Sequence, residues 1–136
     1  MTDVVDTVSA VRIAVFNALE AGVDSALCGV FDDLPEGTQP NFLKLGVIEN
    51  ENDESKGDQF ERLMVEVVGV YRGADRGVLV AMMFAGRRAL DRQKLDAPGV
   101  NFLRCRFIKG VTSDASPQDG VTYASLMQFE IWAEAA

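Results

Sequence analysis

QFERLMVEVVGVY, residues 59–71, decides the fold. Leu63, Val65, Val67 and Tyr71 fall on one face of an extended chain, and Arg62, Met64, Glu66, Val68 and Val70 on the other. Strict period-two alternation with one wholly apolar face is the signature of a strand packed on one side only. Arg72-Gly73-Ala74-Asp75 then stops the strand, and Asp75 can cap a following helix. That helix is expected over residues 76–93, with Leu79, Met82, Met83, Gly86 and Leu90 on its apolar face. A glycine inside a helix costs about 1 kcal/mol against alanine. Gly86 therefore predicts a helix pressed close against a sheet.

Working outward, residues 42–48 read as a strand, with Leu43, Leu45 and Val47 on one face. Between the two strands lies a polar, acidic run, residues 49–58, containing Glu49, Glu51, Asp53, Glu54 and Asp58 and no apolar side chain. It reads as a long hairpin loop. Further upstream, residues 3–21 carry Val4, Val8, Val11, Val15 and Leu19 at helical spacing, with Thr2 or Asp3 to cap the start and Gly22 to end it. Residues 26–34 leave room for one short strand before the turn at Pro35-Glu36-Gly37. Downstream, Asp96-Ala97-Pro98-Gly99 is a turn, and two strands follow over residues 101–111 and 121–134. Arg104, Arg106 and Ile108 alternate with Cys105 and Phe107, and Leu126, Gln128, Glu130 and Trp132 alternate with Tyr123, Met127, Phe129 and Ile131. Two hairpins separated by a helix give an α+β domain: a mainly antiparallel sheet of four to five strands with two helices on one face. No internal repeat or linker divides the chain, so one domain over residues 1–136 is expected.

Composition narrows the function. The chain has 136 residues, 48% apolar and 25% charged, close to the globular average. No window approaches a membrane span, and the N-terminus lacks a basic leader, so synthesis and assembly in a cytoplasm are expected. The net charge of −8, from 21 acidic and 13 basic side chains, repels phosphate backbones and argues against nucleic-acid binding. Cys28 and Cys105, each in an apolar context, read as free buried thiols. There is no histidine, which removes the commonest general base and zinc ligand. Asn50, Asn52, Glu54 and Glu61 approach the ligand spacing of a calcium loop, but Ser55 stands where the loop glycine belongs and strands flank it. Asp32-Asp33 beside Pro35 reads as a turn rather than an acid–base pair. No nucleophile motif or phosphate loop is present, and neither enzymatic activity, a metal nor a cofactor is expected.

The face opposite the helices is the anomaly. Arg62, Met64, Glu66, Arg104, Arg106, Leu126, Glu130 and Trp132 would share it. Arginine, methionine and tryptophan on an open sheet face compose an interface, against the alternative of ordinary cross-strand pairs on a solvated surface. The acidic loop has the same two readings, a solvated hairpin tip or a segment that contacts a partner.

The layout resembles the tail-completion proteins of long-tailed phages, of the lambda tail-terminator type. The resemblance rests on the N-terminal helix, on Val30-Phe31-Asp32-Asp33-Leu34-Pro35, and on Pro40 preceding a strand with Leu45-Gly46. The polar loop, the strand at 65–71, the helix entered from Gly73 and the strand at 126–132 complete it. It covers nearly the whole chain, through order and spacing rather than any one motif. Gene transfer agents use related proteins. The resemblance implies a homo-oligomeric ring, a hexamer, that caps the completed tail tube, stops its polymerisation and docks the head connector or stopper protein. Its partners would be further copies of itself, the tube protein and the connector, with DNA only passing through the lumen and no membrane contact. It implies a place at the head-proximal end of the tail, and no catalytic residues. The competing expectations are a head–tail connector of the same particle and a small-ligand-binding or enzymatic α+β oligomer.

Overall fold

The computed structural model describes residues 5–52 and 60–136. Chain order is α1 (Thr7–Gly22), β1 (Gly29–Phe31), β2 (Phe42–Asn52), β3 (Glu61–Arg72), α2 (Arg76–Leu90), β4 (Val100–Phe102), β5 (Arg106–Thr112) and β6 (Thr122–Ala135). The sheet runs β1-β2-β3-β6-β4, with β5 also paired to β6. Every pairing is antiparallel except β1 with β2. The fold is thus α+β, with two helices packed on one face of a largely antiparallel sheet whose short first strand makes it mixed.

The central strand is β3, Glu61–Arg72, as the alternation in this stretch predicted. β3 pairs with β6 in unbroken register from Glu61 opposite Ala133 to Arg72 opposite Thr122. Leu63, Val65 and Val67 on β3 and Met127, Phe129 and Ile131 on β6 are buried on the helix side. Helix α1 adds Val11, Val15 and Leu19, and α2 adds Leu79, Met82 and Leu90, all fully buried. The valine-rich α1 has weak helix propensity and is held by this packing. Its start is fixed by Asp6, not Thr2 or Asp3, whose carboxylate accepts from the Ser9 amide at 2.9 Å. The Thr7 hydroxyl donates to the Glu61 carboxylate, tying the first turn of α1 to the start of β3. Helix α2 begins at the expected cap, Asp75, which accepts from the Gly77 amide at 2.8 Å, and ends at Leu90, three residues short of the expected end.

Three expectations are corrected. β2 runs on through Glu49, Asn50, Glu51 and Asn52, paired with Met64, Leu63, Arg62 and Glu61, so the first residues of the acidic run are strand. Asp53, Glu54 and Asp58 lie outside the described residues. A bulge between Leu45 and Ile48 shifts the alternation, so Val47 is 56% exposed and Ile48 packs on the core instead. The strand expected at 101–111 is two strands, β4 and β5, because the chain breaks at Leu103-Arg104-Cys105 and resumes pairing further along β6.

Gly86 sits where the sequence predicted a close approach. A Cβ there would lie 3.1 Å from Met127 Cε, 3.2 Å from Leu43 Cδ1 and 3.6 Å from Leu19 Cδ2. Gly86→Val is expected to lower unfolding free energy by about 1–3 kcal/mol through overpacking. In Gly86→Ala the helix-propensity gain offsets much of the squeeze, leaving stability nearly unchanged. Urea melts of the two variants measure the difference.

Candidate functional site

The β3–β6 register lays out the outer sheet face, away from the helices. Arg62 stands opposite Trp132, Met64 opposite Glu130, Glu66 opposite Gln128 and Val68 opposite Leu126. At one end of this face a row of charges crosses four strands. Arg62 Nη1 donates to Glu51 Oε1 on β2 at 2.8 Å, and Arg62 Nε to Glu130 Oε2 on β6 at 2.5 Å. Arg106 Nη2 on β5 lies 3.3 Å from Glu130 Oε1 in an ion pair without hydrogen-bond geometry. Glu130 is nearly buried, its side chain 5% exposed, whereas that of Arg106 is 65% exposed. Burying a carboxylate is costly unless it is paired, and here the single Arg62 Nε hydrogen bond to Oε2 and the Arg106 charge beside Oε1 offset part of that cost. The hydrogen bonds to Glu130 and then to Glu51 raise the Arg62 guanidinium above its already high ordinary pKa.

Beside the row lies an open cleft of about 550 Å³, lined by Arg87, Arg92, Arg104 and Arg106 with Asp91, Cys105, Phe107, Ile108 and Trp132. The end of α2 builds one wall. The Arg87 guanidinium stacks 3.9 Å above the Phe107 ring, and its Nε lies 3.7 Å from Asp91 Oδ2. Asp91 Oδ1 in turn accepts from the Phe107 amide at 2.9 Å. A backbone clasp holds the break between β4 and β5. The Arg92 amide donates to the Cys105 carbonyl at 2.7 Å, and the Cys105 amide to the Gln93 carbonyl at 3.0 Å. The clasp places Arg92 in the left-handed region at φ 62°. Among the described residues Arg92 and Arg104 form no ion pair. In a chain of net charge −8, four arginines around one cleft are a local reversal of sign.

The structure therefore divides the expected interface residues. Arg62, Met64, Glu66, Leu126, Glu130 and Trp132 share the outer face, as the alternation predicted. Glu130, expected on an open face, is buried. Arg104 does not alternate with Arg106 on a strand; it lies in the β4–β5 break and meets Arg106 and Trp132 at the cleft. Glu51 is not a loop residue but the β2 end of the ion row. The sequence reading missed Arg87, Asp91 and Arg92; of these only Arg87 carried a signal, in the cationic last turn of α2, where positive side chains suit the helix dipole.

Both cysteines are free and buried. Burial, followed by the charge of Asp91, pushes the Cys105 thiol up to about 12, which leaves it protonated and unreactive at neutral pH. Among the described residues no group of histidine, cysteine or acidic side chains is placed to hold a metal ion, and no helix is long and apolar enough to cross a membrane.

No family model matches the sequence, and no curated protein is similar to it at the sequence level. The fold, however, is shared with a chain of the virion of a native gene transfer agent particle. The two agree at a TM-score of 0.82 with 18% identity, over 97% of this chain and 100% of that one.

The ion row can be tested through stability. Arg62→Met should destabilise by about 2 kcal/mol or more, because it strips the buried Glu130 of its best partner. Arg62→Met combined with Glu130→Met should recover most of that loss, since neither charge is then stranded. Arg106→Met, removing an exposed partner, should cost under about 1 kcal/mol. Denaturant midpoints order the three variants. Cys105 makes a separate pH prediction. Its folded pKa is raised, so the stability linked to its neutral thiol is present below about 9 and is lost as pH rises toward about 12. Cys105→Ala should flatten the alkaline fall of unfolding free energy, and native protein should resist thiol reagents until it unfolds.

Proposed function

We propose that the chain is a structural protein of a phage-like particle, assembled as a closed ring that caps the finished tail tube and receives the head connector. The observation that carries this reading is the fold shared, end to end, with a chain of a gene transfer agent virion. Likeness over the full length of both chains favours a whole module with a related task over a borrowed core. The order of elements, from the first helix to the last strand, agrees with the layout on which the sequence resemblance to tail-completion proteins rests. A cap of this kind needs no catalytic group. It needs surfaces that self-associate with closure, a face for the tube and a channel wall that does not hold DNA. A net charge of −8 suits the last requirement. The outer face, with Met64, Glu66, Leu126 and Trp132 half-exposed beside the ion row, is the surface we assign to the tube or to a neighbouring copy. A connector of the same particle would share the fold and differ in its place along the tail.

Negative-stain images of the purified protein should show rings with a central hole. Removing the chain from a particle-producing cell should yield overlong tubes and heads without tails. A compact dimer at every concentration would overturn the ring. Tails of normal length that fail to join heads would instead assign the chain to the connector.

A further inference from the structure

The sheet ends in two open edges of opposite charge. On one side β1 covers β2 only from Phe42 to Lys44, so among the described residues no strand lies along the outer edge of residues 46–52 of β2. This stretch exposes Val47, Glu49 and Glu51. On the other side, among the described residues, β5 pairs with β6 and no further strand, and its outer edge is capped where Asp91 accepts from the Phe107 amide. The rest of that edge exposes Lys109 and Val111, with Arg104 and Arg106 at its start. Val47 and Val111 are the two most exposed large apolar side chains among the described residues, at 56% and 55%. An open strand edge is a template for another strand.

We infer that copies of this chain join head to tail by pairing the acidic β2 edge of one with the basic β5 edge of the next. The inference rests on the ring reading and names the contact that closes it. Strand directions alternate across β2, β3, β6 and β5. A rotation about an axis along the strands preserves direction, so the next copy's β2 meets β5 antiparallel and the alternation continues. The faces also agree. Glu49 and Glu51 lie opposite Met64 and Arg62, and Lys109 and Val111 opposite Gln128 and Leu126, all on the outer face. With Glu49 opposite Lys109, Val47 falls opposite Val111 and Glu51 comes beside Arg106. One register thus covers both exposed valines and pairs the charges. Two-fold pairing of like edges would oppose acid to acid or base to base. Charge therefore selects the heterologous contact, which must close into a ring or run on as a filament.

The test uses the full chain with Glu49→Cys and Lys109→Cys, and the native thiols, both buried, give little background. Under oxidation the double variant should give a ladder of covalent multiples. A mixture of the two single variants should give a covalent dimer with one of each, and neither alone should cross-link. Lys109→Glu should weaken association by about tenfold or more, and adding Glu49→Lys should restore it. Homodimers of a single variant would overturn the inference. So would oligomers seen by light scattering without a link between positions 49 and 109, an outcome that leaves the ring reading standing. A monomer at every concentration would overturn both.

Discussion

Everything in this molecule hangs on the ladder between β3 and β6. Twelve residue pairs run from Glu61–Ala133 to Arg72–Thr122 without a slip. Because side chains alternate strictly along such a ladder, one register choice fixes two surfaces at once. It sends Leu63, Val65, Val67, Met127, Phe129 and Ile131 to the helices, and Arg62, Met64, Glu66, Gln128, Glu130 and Trp132 the other way. A slip by one residue would bury Arg62 and Glu66 beneath the helices and expose the core. The helices read this ladder through small contacts. Gly86 lets α2 close on Met127 and Leu43, and Gly69 leaves room for the Ser125 hydroxyl directly across β3 and β6, where a Cβ would lie 2.5 Å away.

The same ladder explains why the charges of the outer face are ordered rather than scattered. Glu130 is buried on a face with no helix over it, so its cost is met sideways, by neighbours on adjacent strands. Arg62 bridges it to Glu51, and Arg106 approaches from the far side, so the row fixes the relative placement of β2, β3, β6 and β5 at one end of the sheet. That end also carries the cleft. Asp91 links the last turn of α2 to the start of β5 through the Phe107 amide, while the Arg92–Cys105–Gln93 clasp anchors the break before it. The cationic wall is therefore held by backbone bonds and a stacked ring rather than by flexible side chains alone.

What the sequence made legible follows from this physics. Alternation in β3 and β6 was readable because each strand has one uniformly apolar face, and Asp75 and Gly86 announced α2 and its depth through their chemistry. Three features had no local signal. The bulge at Gly46-Val47 changes the face of Val47 without changing composition, and alternation alone assigned that side chain to the core. The extension of β2 through Glu49-Asn50-Glu51-Asn52 contradicts strand propensity, and is imposed by pairing with the already committed β3. The break at Leu103-Arg104-Cys105 depends on the backbone of Arg92 and Gln93, ten or more residues away in sequence. The candidate outer-face residues were found together because they share one ladder. Of the cleft arginines, Arg104 and Arg106 were read from alternation, but Arg87 and Arg92 were not, because they come from a helix end and a turn that only the folded chain brings beside them.

The two bulges sit on the two strands that flank the central pair. One lies in β2 between Leu45 and Ile48, the other in β5 between Phe107 and Lys109. A bulge bends its strand and raises its twist, which makes an open edge a poor template for a flat, indiscriminate partner. It leaves the edge usable by a strand of matching curvature, and a second copy of the same chain carries one. Charge narrows the choice again, since Glu49 and Glu51 on one edge and Arg106 and Lys109 on the other disfavour each edge meeting its own kind. Curvature and charge act together here. The first rejects open-ended stacking of flat strands, and the second rejects two-fold closure. What both leave available is a heterologous contact between unlike edges, which closes into a ring or runs on as a filament.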